Sequence, residues 1–108
     1  FCIQVAALAE LLGRMPSLGL DPTAAIDLLG NTPLLSPAAK GAAGLMLADK
    51  RDAMFPVDLV AKDFAYAIGD NAKAMPVATA TLSVFEAAKA AGLADSNLTA
   101  ISTLYERN

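Results

Sequence analysis

The sequence has no histidine and no tryptophan, and it contains a single cysteine, Cys2. Without histidine the chain cannot form a Ser-His-Asp triad or a Cys-His pair, and it lacks the commonest metal ligand of proteins. One cysteine cannot form an internal disulfide, which is typical of proteins in the reducing cytoplasm. We therefore expect a cytoplasmic protein with no metal site, in which any chemistry depends on lysine, carboxylate, tyrosine or backbone groups.

Charged residues are also scarce, at 18% of the chain, with 8 basic residues, 11 acidic residues and a net charge of −3. The basic residues are dispersed, whereas nucleic-acid binding depends on basic patches that neutralise phosphates. The charge-free stretches 28–39 and 74–85 are shorter than the ~20 apolar residues that a membrane span needs. The first residues do not have the cationic and apolar segments of a signal peptide. We therefore expect neither a nucleic-acid partner nor a membrane partner.

Apolar residues, in contrast, account for 56% of the 108 positions, which excludes intrinsic disorder and fits one domain with one core. A domain of this size leaves much of its surface in water, so the apolar excess indicates that another domain or subunit covers part of that surface. No Ser, Thr, Asp or Asn cap precedes the apolar run at Phe1, which favours a chain that begins within a helix.

Helix start and stop signals divide the chain into five or six helices. Asp21-Pro22 and Ser36-Pro37 each combine an N-cap residue with proline at the first helical position, and Pro76 opens a later helix. The predicted helices cover 1–14, 22–29, 37–50, 58–73 and 76–91, and a last one runs from a cap at Asp95 or Ser96 to Tyr105. Gly41 and Gly44 lie inside the third of these helices and indicate close packing against a neighbour, with an oligomer interface as a further possibility.

The stretch 77–84 also permits a different interpretation, because its threonines and valines favour a β-strand. A proline at its start and an alanine-rich continuation after Glu86 favour a helix instead. The chain has no Asn-Gly or Asp-Gly hairpin turn. The sequence therefore predicts an all-α fold, a single helical bundle without a sheet.

One stretch before and within the fourth predicted helix combines an aromatic ring, an ammonium group and a carboxylate. Phe55 precedes a proline at an extended joint, and Lys62-Asp63 lie in the second turn of the helix that Asp58 caps. At about 100° per residue, Phe55 and Lys62 project to roughly the same side, with Asp63 adjacent. These three groups could meet a polar ligand at a domain edge. An equally simple interpretation is an exposed ion pair between Asp58 and Lys62, four residues apart, with no ligand.

The segment from Phe55 to Phe64 has a phenylalanine, an apolar alternation and then Lys-Asp before another apolar residue. This pattern resembles the C-terminal domain of the 3-hydroxyisobutyrate dehydrogenase (β-hydroxyacid dehydrogenase) family. Further similar segments occur in the family's order over nearly the whole chain: the Ala-Glu-rich segment 6–10, the turn 19–22, Pro76, and Ala90-Ala91-Gly92 with Asp95.

The resemblance implies that residues 1–108 are the C-terminal helical domain of a two-domain oxidoreductase that uses NAD or NADP on a small 3-hydroxy acid. This domain would have a fold like the C-terminal domain of 6-phosphogluconate dehydrogenase. It would close over a cofactor bound mainly by an N-terminal Rossmann domain, and it would join copies into a homodimer or higher homo-oligomer. The family's catalytic lysine lies upstream of the Ala-Glu segment, which places it before Phe1. The resemblance therefore implies that no catalytic residue lies in this chain and that the chain alone is inactive.

The resemblance also suggests roles for three residues of this chain. In the family, the lysine that matches Lys62 contacts the dinucleotide, and the carboxylate that matches Asp63 helps to hold that lysine. In some members the position that matches Phe55 lines the cofactor site. Two other functions stay open: a non-catalytic helical dimerisation module in which Lys62 and Asp63 are surface charges, and a relative with altered chemistry such as an imine reductase.

Overall fold

The computed structural model describes residues 1–106, and over this range the chain forms helices and no β-strand. The five α-helices are α1 (Cys2–Arg14), α2 (Pro22–Gly30), α3 (Pro37–Leu47), α4 (Val57–Ile68) and α5 (Pro76–Ala90). Three 3-10 helices lie at Met15–Leu18, Ala72–Ala74 and Leu98–Tyr105. The all-α prediction is confirmed, and 77–84 is helical. Within the described residues, no helix is both long and apolar enough to cross a membrane.

The starts of α2 and α3 follow the predicted capping signals. The side chain of Asp21 accepts a hydrogen bond of 3.1 Å from the Thr23 N–H, and the Ser36 hydroxyl accepts one of 3.1 Å from the Ala39 N–H. Each bond satisfies one of the N–H groups that have no partner inside the helix. The proline at the first helical position loses nothing, because its missing N–H would have been unpaired there.

The bounds of α4 differ from the prediction at both ends. Its N-cap is Pro56, and Asp58 lies in the first turn instead of capping the helix. Two backbone hydrogen bonds replace a side-chain cap: the Val57 N–H donates to the Ser96 carbonyl at 2.9 Å, and the Asp58 N–H donates to the Ala94 carbonyl at 3.0 Å. The helix ends at Ile68 and not near residue 73, because Gly69 turns to a φ of +55°.

The last helix also differs from the prediction, since it is a 3-10 helix that follows Asn97 and not an α-helix capped by Asp95 or Ser96. Asn97 is only 1% exposed. Its Oδ1 accepts hydrogen bonds from the N–H groups of Met54 (3.1 Å) and Phe55 (3.0 Å), and its Nδ2 donates to the Thr99 hydroxyl (2.9 Å). The buried amide therefore joins the segment before α4 to the last helix.

Two pairs of helices enclose the core: α1 packs against the last 3-10 helix, and α4 packs against α5. The largest fully buried side chain, Phe85 of α5, stacks on Phe64 of α4 with ring centroids 6.2 Å apart. At the first pair the backbones come very close. A Cβ atom on Gly13 would lie 2.5 Å from the Cβ of Tyr105 and 2.8 Å from its carbonyl oxygen.

The prediction of close packing at Gly41 and Gly44 is wrong for the described part of the chain. Both glycines are exposed, and a Cβ atom built on either would meet nothing within 4 Å. The buried face of α3 is formed by other residues, namely Ala39, Ala42, Ala43 and Met46. A glycine inside a helix lowers helix stability whether its surroundings are crowded or open, so the residue type alone does not reveal a neighbour.

Candidate functional site

The outer face of α4 carries the two charged residues that the sequence singles out. This helix buries Val57, Val60, Ala61 and Ile68 against the core. Lys62 and Asp63 lie on the opposite side and are exposed, with 58% of the Lys62 side chain accessible. Both side chains can therefore be reached by a ligand or a partner that approaches α4 from outside.

Lys62 forms the ion pair that its spacing from Asp58 predicts. The Lys62 Nζ lies 3.2 Å from the Asp58 Oδ2, and the Nζ of Lys89, on α5, lies 3.3 Å from the Asp58 Oδ1. The Lys89 Nζ also lies 3.7 Å from the Glu86 Oε2. The two ammonium groups, Lys62 first and then Lys89, lower the pKa of Asp58 because they stabilise its charged form. One carboxylate thus links α4 to α5 and holds Lys62.

Asp63 is next to Lys62 in sequence but points elsewhere, since adjacent helix residues are rotated by about 100°. Within residues 1–106, the carboxylate in ion-pair distance of Lys62 is that of Asp58. Asp63 lines a hollow of about 330 Å³ between α4 and the start of α1. Burial raises the pKa of the Cys2 thiol in this hollow, and the Asp63 carboxylate adds to the shift. The other lining residues are Phe1, Ile3, Phe64 and Ala67.

Phe55 lies at a second hollow, on the other side of the joint before α4. It is half-buried, and its backbone is fixed by Asn97 and by its own carbonyl, which accepts from the Leu98 N–H at 2.8 Å. This hollow has a volume of about 480 Å³ and an almost entirely apolar lining. Phe1 borders both hollows, whereas Lys62 lines neither. The three predicted residues therefore do not enclose one common cavity in the described chain.

The Lys62 ammonium has the chemistry to contact a polar ligand. It carries three N–H donors, and an exposed ammonium beside one carboxylate keeps donors available for oxygens of an arriving molecule. No group of three or more acidic or cysteine side chains within residues 1–106 could hold a metal ion. A contact made by Lys62 would depend on its hydrogen bonds and charge.

Two residues important for this site were not identified from the sequence. Lys89 meets Asp58 only because α5 packs against α4, and Asn97 reaches the Phe55 joint across 42 residues of sequence. A pattern within one helix predicts contacts three or four residues apart, but it does not predict contacts between helices. The only sequence signal near Asn97 was a cap assigned to its neighbours Asp95 and Ser96.

Comparison with known protein families matches the chain to a family described as "NAD-binding of NADP-dependent 3-hydroxyisobutyrate dehydrogenase". The match extends over residues 1–105 and so includes every helix described above. A search of curated proteins found none that matches the chain. The all-helical fold agrees with the C-terminal domain that the resemblance implied. The chain belongs to the family of NAD-binding domains of NADP-dependent 3-hydroxyisobutyrate dehydrogenases.

Proposed function

We propose that this chain is the C-terminal helical domain of an NAD- or NADP-dependent oxidoreductase that acts on a small 3-hydroxy acid. The observation that carries the proposal is the family match over residues 1–105. The nicotinamide supplies the hydride acceptor or donor when it is bound. This domain would close over a cofactor held mainly by an N-terminal Rossmann domain, which would also contribute the proton-transferring lysine.

The described residues fit a contact with a dinucleotide, and Lys62 is the best candidate for it. Its ammonium is exposed on the outer face of α4, and the Asp58 carboxylate lies 3.2 Å from it. A lysine of this kind donates to ribose, amide or phosphate oxygens as a compact point charge. We assign secondary roles to Asp63 and Phe55, each at its own hollow. The Asp63 carboxylate offers an acceptor, and the Phe55 ring offers an apolar surface.

The exposed apolar side chains support the proposal that another domain and a second copy of the chain cover part of this surface. Tyr66 on α4, Met54 before α4 and Leu34 before α3 are among the large hydrophobic residues that are mostly accessible in the single chain. Exposed apolar side chains mark an interface where they form a contiguous patch. A Rossmann domain and a homodimer or higher homo-oligomer are the proposed partners.

The role of Lys62 can be tested in the complete protein by titration with NADPH and with NADH, followed by nicotinamide fluorescence. Loss of a hydrogen bond to a charged group costs ~1.5–3 kcal/mol, so Lys62→Ala should raise the cofactor Kd about tenfold or more. Lys40→Ala is the matched control, because Lys40 is also exposed but lies on α3. Equal dissociation constants for Lys62→Ala and the wild type would refute the assigned contact.

The reaction class is tested separately, by following formation of reduced nicotinamide when the complete protein receives NAD or NADP with 3-hydroxyisobutyrate or shorter and longer 3-hydroxy acids. We expect turnover with at least one of these acids. Reduction of a cyclic imine without any oxidation of a hydroxy acid would instead identify a relative with altered chemistry. Failure to bind either cofactor would favour a non-catalytic dimerisation module.

A further inference from the structure

Asp58 is held at three points, which sets it apart from Asp63, the other acidic residue of α4. Its backbone N–H donates to the Ala94 carbonyl at 3.0 Å, so the first turn of the helix is fixed to the segment after α5. Its Oδ1 lies 3.3 Å from the Lys89 Nζ, and its Oδ2 lies 3.2 Å from the Lys62 Nζ. Two of these points do not involve Lys62: the bond to Ala94 fixes the backbone of Asp58, and Lys89 holds its carboxylate.

The packing of α4 on α5 makes this arrangement rigid. Phe64 stacks on the fully buried Phe85 two turns along the same pair of helices. Lys89, which is half-buried on α5, forms its bond to Asp58 from this fixed surface. An exposed lysine is otherwise distributed over many rotamers, and a ligand that uses it must order it on binding. A fixed carboxylate removes part of that cost in advance.

We infer that Asp58, supported by Lys89, is a positioning residue that holds the Lys62 ammonium in place for contact with the dinucleotide. The inference rests on the proposed function of Lys62. Asp58 itself does not touch the cofactor and acts through Lys62. The family resemblance gives a holding role to the carboxylate next to the lysine, at Asp63, whereas the ion-pair distance in the structure belongs to Asp58.

The negative charge of Asp58 and its positioning of Lys62 have opposite effects on dinucleotide binding, so removal of Asp58 distinguishes between them. A dinucleotide carries negative phosphates, so loss of a nearby negative charge should by simple electrostatics strengthen its binding. If Asp58 positions Lys62, loss of the carboxylate should weaken binding instead, because the released lysine has to be ordered by the cofactor. The direction of the change in Kd therefore separates the two effects.

The experiment measures the Kd of NADPH for the complete protein by nicotinamide fluorescence, with thermal unfolding to show that each variant is folded. Asp58→Asn should raise the Kd about threefold, which is the scale expected for ordering one long side chain. Glu86→Gln is the matched control, since it removes an equal charge from the same surface and its carboxylate pairs with Lys89 but not with Lys62. The control should bind NADPH as tightly as the wild type or more tightly. Asp58→Glu, which retains an acid four residues before the lysine, should restore most of the affinity.

A double variant shows whether Asp58 acts through Lys62. If it does, Asp58→Asn causes no further rise in the Kd when Lys62→Ala is already present. Unchanged or tighter binding by Asp58→Asn would overturn the inference, and so would a loss that adds to that of Lys62→Ala. If Lys62→Ala weakens binding while Asp58→Asn does not, the proposed function stands and only the positioning role fails. If Lys62→Ala has no effect, the proposed contact and this inference are both refuted.

Discussion

Gly13 of α1 lies against the backbone of the last helix so closely that alanine does not fit there. A Cβ atom at this position would be 2.5 Å from the Cβ of Tyr105, 2.8 Å from its carbonyl oxygen and 3.3 Å from its carbonyl carbon. These are backbone atoms or the first side-chain atom, so a change of rotamer cannot relieve the overlap. In the Gly13→Ala variant, α1 and the last 3-10 helix would have to move apart by about 1 Å to reach normal contact distances.

The magnitude follows from two opposing terms. Overpacking of a tight contact costs about 1–3 kcal/mol, while replacing a helical glycine by alanine contributes about 1 kcal/mol in the other direction. We expect Gly13→Ala to lower the free energy of unfolding by up to about 2 kcal/mol, which corresponds to a fall in Tm of up to roughly 15 °C for a domain of this size. Gly41→Ala and Gly44→Ala provide controls, because alanine meets nothing within 4 Å at either position.

The assay is urea and thermal unfolding of the three variants and the wild type, followed by far-ultraviolet circular dichroism. The two α3 variants should each be more stable than the wild type by about 0.5–1 kcal/mol, since only the helix propensity changes. Gly13→Ala should be the only one of the three that is destabilised. If Gly13→Ala were as stable as the α3 variants, the close approach of α1 to Tyr105 would be refuted.

Two further predictions concern Asn97 and Tyr105. Asn97→Ala leaves two N–H groups before α4 without their buried acceptor, so we expect a loss of about 2–4 kcal/mol in urea unfolding. Burial, and then the nearby Glu10 carboxylate, raise the pKa of Tyr105. The fold therefore favours the neutral phenol: its contribution is complete below about pH 10 and is lost as the pH rises through the raised pKa. Ultraviolet titration should show that Tyr105 ionises at a raised pH, and Glu10→Gln should lower that pH. An unchanged titration curve in that variant would contradict the contact with Glu10.

The features that could be predicted from the sequence are those decided by neighbouring residues. The caps at Asp21 and Ser36 depend on side chains and N–H groups two or three residues apart, and both were correct. The exposed pair of Asp58 with Lys62 follows from their spacing on one helix and was also anticipated. The helical state of 77–84 was inferred correctly because proline and alanine outweigh the weaker strand preference of threonine and valine.

The features that were missed depend on which helices meet. Gly41 and Gly44 were interpreted as sites of close packing, yet the crowded glycine is Gly13, and no local pattern distinguishes the three. The contact of Lys89 with Asp58 and the bonds of Asn97 connect segments that are 31 to 43 residues apart. Such contacts exist only after the bundle has assembled. The sequence therefore indicated the candidate residues Lys62 and Asp63 on α4, but it did not indicate Lys89 and Asn97, which hold the site in place.

The buried amide of Asn97 has a consequence for motion between domains. Asn97 fixes the joint before α4. The first two N–H groups of α4 donate to the carbonyls of Ser96 and Ala94, in the segment just before Asn97. A joint tied in this way cannot serve as a hinge, since hinges need backbone that is free to change its dihedral angles. We therefore expect Lys62 to move together with the joint and not on an independently moving helix. Any opening and closing of a cleft against this face must move α4, α5 and the last helix together, as one rigid body.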